Sequence, residues 1–159
     1  MKQITEQEAY LRLAALCAQA EHCQYEMQEK MRRWELTDEV QARVMQRLVA
    51  ECYVDDERYA RAFVKDKVRY NKWGRRKVEQ ALWVKHIDED IRQRVLDEVD
   101  DEEYINVLRP LLQQKRKTTK ANSDYELNGK LIKFAMSRGF TMDIIKQCIN
   151  VTDEDEFME

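Results

Sequence analysis

The chain has 159 residues and a formal net charge of −3, and it contains only 3 glycines and 1 proline. Folds rich in tight turns use more of both, so the composition favours helices joined by short links. Charged residues make up 37% and aromatics 9%, which suits an extended helical array, while a hydrophobic fraction of 43% excludes a disordered chain.

Taken in chain order, the apolar periodicity predicts about nine helices in three successive units. The first unit covers residues 1–53, the second 54–98 and the third 99–152, and an acidic tail follows at 153–159. Each unit opens on a helix with an acid two places before a tyrosine: Glu8 and Tyr10, Glu57 and Tyr59, Glu102 and Tyr104. Each then carries the same helix-start device, at Leu36-Thr37-Asp38-Glu39-Val40, Ile87-Asp88-Glu89-Asp90-Ile91 and Phe140-Thr141-Met142-Asp143-Ile144. An apolar residue precedes an N-cap, acids complement the positive helix end, and a core residue follows. The cap positions 37, 88 and 141 lie 51 and 53 residues apart. The register extends to Met27, Val78 and Leu131, to Met31, Leu82 and Ala135, to Val40, Ile91 and Ile144, and to Val44, Val95 and Cys148. These are i, i+4 pairs on apolar helix faces. The expected fold is all-α: three tandem three-helix repeats forming an elongated, curved array.

Two local features interrupt the pattern. Pro110 falls inside the first helix of the third unit, where it should kink or end that helix. The stretch from Lys115 to Asn122 reads as a polar, mobile connector.

The charge is polarised. Six of the seven residues from Asp97 to Glu103 are acidic, and the tail from Asp153 to Glu159 carries five acids. From Arg58 to Lys77 there are nine Lys or Arg and one acid, Asp66. Within that stretch Arg58, Arg61, Lys65, Arg69 and Lys72 recur at helical spacing and share a face roughly 80° wide. Tyr59, Phe63 and Val64 lie on the opposite side. Aligned like charges repel at i, i+4, so such a stripe points to an anionic partner rather than to stability. Trp73-Gly74-Arg75-Arg76-Lys77 follows. Gly74 is expected to permit the turn, and three cations stand where the next helix should begin. The macrodipole is already positive there, so an anion docking on free N–H groups and cations would reverse an unfavourable sign. Trp73 could stack on a base or cover the helix junction. Lys115, Arg116, Lys117 and Lys120 form a second basic group, which Lys130, Lys133 and Arg138 could extend. A solvated basic face is the alternative for either group.

No catalytic residue is expected. The sequence has neither a phosphate-binding loop nor a glycine-rich dinucleotide turn, and no Ser or Cys in a nucleophile context. No cofactor and no metal are predicted, since His22 with Cys17 and Cys23 makes only a weak ligand set. The four cysteines read as reduced thiols of a cytoplasmic protein. No apolar run reaches the roughly 18 residues of a membrane span, and the first residues lack the apolar run of a signal peptide.

The segment Tyr53-Val54-Asp55-Asp56-Glu57-Arg58-Tyr59-Ala60-Arg61-Ala62-Phe63-Val64, followed by Trp73-Gly74-Arg75-Arg76-Lys77-Val78, resembles the signature of RecX regulatory proteins. The three-unit plan is also similar to that family. The resemblance implies a non-enzymatic modulator of the RecA recombinase, usually an inhibitor, acting in DNA repair and recombination. Such proteins bind along the groove of the RecA–DNA filament, promoting its disassembly or blocking its growth, and some bind single- or double-stranded DNA directly. A monomer with no membrane partner is expected. Two other readings stay open: a stand-alone DNA-binding helical regulator, and a generic helical protein-interaction scaffold.

Overall fold

A computed structural model describes residues 3–149; the acidic tail at 153–159 lies outside them. Among the described residues there are nine α-helices and no strand: α1 (Glu6–Gln19), α2 (Gln24–Arg33), α3 (Asp38–Ala50), α4 (Asp56–Arg69), α5 (Arg75–Val84), α6 (Glu89–Asp97), α7 (Asp101–Thr118), α8 (Asp124–Ser137) and α9 (Met142–Cys148). No described helix is long and apolar enough to cross a membrane.

The repeat reappears in the backbone itself. Left-handed residues stand at Glu35 (φ 59°), His86 (φ 58°) and Gly139 (φ 93°), each two places before a predicted cap. At each corner an amide reaches back five residues to close the preceding helix. Leu36 N–H donates to Met31 O at 3.3 Å, Ile87 N–H to Leu82 O at 3.2 Å and Phe140 N–H to Ala135 O at 3.2 Å. This pattern satisfies carbonyls that a helix end would otherwise leave bare. The buried residue that accepts and the apolar residue that donates sit at equivalent positions in all three repeats. Met27, Val78 and Leu131, with Met31, Leu82 and Ala135, are all fully buried. Thr37 caps as expected, its hydroxyl accepting the Val40 amide at 3.2 Å. Thr141 precedes α9 without a side-chain cap bond.

The chain packs into two compact units, residues 3–63 with Leu82–Gln93, and Val64–Ala81 with residues 94–149. Helices α4, α5 and α6 each begin in one and end in the other. The first unit centres on Tyr10, Leu13, Met27, Met31, Val44 and Leu48. The Arg47 guanidinium lies 3.6 Å from the Tyr10 ring centroid, and the Tyr10 hydroxyl donates to Glu51. In the second unit α7 packs on α8 and α9 through Tyr104, Ile105, Leu108 and Leu112. The tyrosines that open the three repeats, Tyr10, Tyr59 and Tyr104, are all buried. Burial pushes the Tyr104 hydroxyl up to about 12, and that hydroxyl has no hydrogen-bond partner among the described residues.

Two expectations need correction. Pro110 does not end its helix: α7 continues to Thr118. Pro110 removes a donor to the carbonyl four residues earlier, but both it and Asn106 are exposed, so water can take the donor's place. The supposed connector from Lys115 is helical in its first half. Lys115, Arg116 and Lys117 form the last turn of α7, where cations complement the negative helix end. The Thr118 and Thr119 hydroxyls donate to the Lys115 carbonyl at 3.2 and 2.6 Å. The link is then only 119–123, and the Ser123 hydroxyl caps α8 by accepting the Glu126 amide at 3.1 Å.

Candidate functional site

Helix α4 carries four cations of the basic stripe. The two that fall in the first unit are tied into that unit. Arg58 Nε donates to Glu21 at 2.6 Å, and its Nη2 reaches the carbonyls of Cys52 at 3.0 Å and Tyr53 at 3.3 Å. Cys52 holds a left-handed backbone (φ 64°), so Arg58 braces the corner between α3 and α4. Arg61 pairs with Glu57 at 3.0 Å, one turn away. Arg58→Ala is therefore expected to cost stability by about 1 kcal/mol, discounted for exposure. A thermal melt should show it as a loss of ~3 °C.

His22, the weak metal candidate, stands 3.1 Å from the Glu26 carboxylate, which also accepts Lys85 at 3.0 Å and the Cys23 amide at 3.3 Å. Burial pushes the Glu26 carboxyl up, but Lys85 and these hydrogen bonds outweigh it and hold it below its usual 4.5. A carboxyl depressed in the folded state contributes stability above its unfolded value and loses it as pH falls through the folded one. Glu26→Gln should thus flatten the fall of unfolding free energy as pH drops below about 5, read by urea melts.

The remaining stripe residues lie in the second unit. Lys65 and Arg69 are exposed on α4. Lys72 falls beyond the end of that helix, in a left-handed conformation (φ 59°). The turn into α5 is thus made by Lys72, not by Gly74. Gly74 serves another purpose. A Cβ there would stand 2.4 Å from the Phe140 amide nitrogen and 2.5 Å from the Gly139 carbonyl carbon. A Cβ on Gly139 would meet the Lys77 backbone nitrogen at 2.5 Å. The two glycines let the start of α5 lie directly on the corner after α8.

That contact answers the charge problem posed by three cations at a helix start. Gly74 N–H donates to Arg138 O at 2.8 Å and Arg76 N–H to Gly139 O at 3.0 Å. The carbonyl-rich end of α8 meets the amide-rich end of α5, so opposite dipole ends face each other. The amides of Gly74 and Arg76 are consequently not free for an anion, contrary to the sequence expectation. Arg75 donates to Asp97 at 2.6 Å. Arg76 projects into solvent.

Around this junction two aromatic rings are each flanked by two cations. Lys67 Nζ and Lys77 Nζ lie 5.2 and 4.7 Å from the Trp73 ring centroid. Lys115 Nζ and Arg138 Cζ lie 5.1 and 5.2 Å from that of Phe134. Both rings are half-buried. Each covers its junction on one side and holds cations by their alkyl stems and charge on the other. Lys67 and Phe134 were not singled out from the sequence. Lys67 sits on the side of α4 away from the stripe, and nothing local pairs Phe134 with a lysine 19 residues earlier. Of the second basic group, Lys130 is tied to Glu126 at 3.3 Å and to the Lys120 carbonyl at 2.7 Å. Arg116, Lys117, Lys120 and Lys133 are exposed. Among the described residues, Lys65, Arg69, Lys72 and Arg76 have no ion-pair partner.

Residues 55–96 match the family model for the second three-helix domain of RecX, and residues 101–149 match that for the third. The chain is 23% identical over 150 residues to the regulatory protein RecX of Bacillus cytotoxicus, covering 94% of this chain and 56% of the relative. It is 32% identical over 109 residues to that of Clostridium botulinum (strain Alaska E43 / Type E3), covering 67% and 50%. The chain thus spans about half the length of the curated relatives it matches. The fold is that of the crystal structure of RecX from Lactobacillus salivarius, with a TM-score of 0.85 at 18% identity over 91% of this chain and 94% of that one. With both domain models side by side over more than half its length, the chain belongs to the RecX family of regulatory proteins.

Proposed function

We propose that this protein is a non-enzymatic regulator that binds the RecA–DNA nucleoprotein filament and lowers recombinase activity. The observation that carries the reading is the second unit's set of exposed cations, Lys65, Arg69, Lys72 and Arg76, with no ion-pair partner among the described residues. Trp73, flanked by Lys67 and Lys77, adds a further cation-bearing surface in the same unit. Exposed, unpaired cations gain most from a partner rich in anions, such as phosphates or an acidic protein surface. Arg58, Arg61 and Arg75 play a bracing part in this reading, since each already holds a carboxylate. In this reading the chain divides into three functional units at residues 54 and 99.

One experiment separates this reading from its rival, a stand-alone DNA-binding regulator. Protein is captured on RecA-coated single-stranded DNA beside naked single- and double-stranded DNA across a salt series. A filament regulator is retained on the coated strand at salt concentrations that release it from naked DNA. Equal retention on both, falling together with salt, supports the rival. Retention on neither removes both and leaves a protein-interaction scaffold.

A further inference from the structure

We propose that the first unit carries a separate docking surface, built for a cationic polypeptide segment with an apolar anchor. Its basis is a groove of about 550 Å³ whose floor and wall include Tyr25, Trp83, Val84 and Ile87. Trp83 is 65% exposed and Val84 55%, side by side at the end of α5. A tryptophan left in water beside a concave apolar surface is the residue type that most often anchors an interface. His86, in its left-handed conformation, stacks on Tyr25 with ring centroids 4.1 Å apart.

Charge specifies the occupant. Asp88 and Glu89 line the groove at the start of α6, with Asp90 beside them. Asp88 also lines the adjoining hollow with Asp55, Asp56 and Glu57. Burial pushes the Asp56 carboxyl up, with the neighbouring Asp88 and Asp55 adding to the shift, as expected where negative charge is crowded. Two cations lie near these acids, and among the described residues only Lys85 is paired with a carboxylate. Lys85 is held by Glu26 at 3.0 Å, and Arg92 Nη1 donates to the Ile87 carbonyl at 2.7 Å. An acid-rimmed apolar groove fits a basic segment that inserts an apolar side chain against Trp83. All these residues belong to the first unit, so the surface is independent of the reading given for the second.

The test uses the full chain labelled with nitrogen-15 and two synthetic amphipathic helical peptides, one of lysine and leucine and one of glutamate and leucine. The lysine peptide is expected to shift the Trp83 indole, His86, Glu89 and Arg92 resonances in a saturable way, and the glutamate peptide is not. Trp83→Ala and the double variant Glu89→Lys/Asp90→Lys should each weaken that binding by about tenfold or more. Each changes only exposed side chains, and unchanged circular dichroism establishes that the fold is kept. Shifts centred elsewhere, equal binding of both peptides, or variants that bind as the parent does would each overturn the proposal. The same shifts produced by raising protein concentration alone would assign the groove to a second copy of this chain and also overturn it.

Discussion

Gly74→Ala is expected to lower the melting temperature by about 10 °C. The added Cβ would meet only backbone: the Phe140 nitrogen at 2.4 Å, and the Gly139 carbonyl carbon and Phe140 Cα at 2.5 Å. No flexible side chain can swing aside, so the start of α5 must move off the corner between α8 and α9. That movement breaks the bonds from Gly74 N–H to Arg138 O and from Arg76 N–H to Gly139 O. Two backbone hydrogen bonds at about 1 kcal/mol each, with a steric term of ~1–3 kcal/mol, give a loss of roughly 3–5 kcal/mol. At about 2–4 °C per kcal/mol for a chain of this size, calorimetry should resolve the shift readily. Gly139→Ala should be at least as damaging, because its Cβ meets Lys77 at 2.5 Å and its φ of 93° strains any L-residue. A melt unchanged by either variant would mean that the close approach is not made in solution.

Lys65→Glu with Arg76→Glu is expected to leave the melting temperature within about 2 °C of the parent and to weaken capture on RecA-coated single-stranded DNA by about tenfold or more. Both side chains are exposed and hold no ion pair among the described residues, so reversing them breaks no described contact. If the partner's anions are phosphates, the dependence of affinity on salt should also flatten, by about one unit of slope for each cation removed. Inhibition of RecA-catalysed ATP hydrolysis should fall in step. Arg75→Glu serves as the contrast. It breaks the 2.6 Å pair with Asp97 and places two carboxylates together, so stability and inhibition should drop together. Full inhibition by the folded Lys65→Glu/Arg76→Glu variant would remove these residues from the binding face.

The helical repeat was legible in the sequence because its determinants are local. A cap acts on an amide three residues away, and an apolar face recurs every three or four residues. The offsets of 51 and 53 between Thr37, Asp88 and Thr141 therefore carry over to the left-handed residues Glu35, His86 and Gly139, which lie two places before each cap. Position along the chain could not say which cations stay free. Arg58 is neutralised by Glu21, 37 residues earlier, and Arg75 by Asp97, 22 residues later. The same holds for the two glycines. Gly74 reads locally as a turn, but Lys72 makes the turn, and Gly74 instead admits the backbone of Gly139 and Phe140. Local spacing established the helical repeat, where most of its described helices begin and that the second repeat is basic. Only the packed structure decided which charges face solvent and which close a corner, because a salt bridge or a backbone contact depends on distance in space and not on separation in sequence.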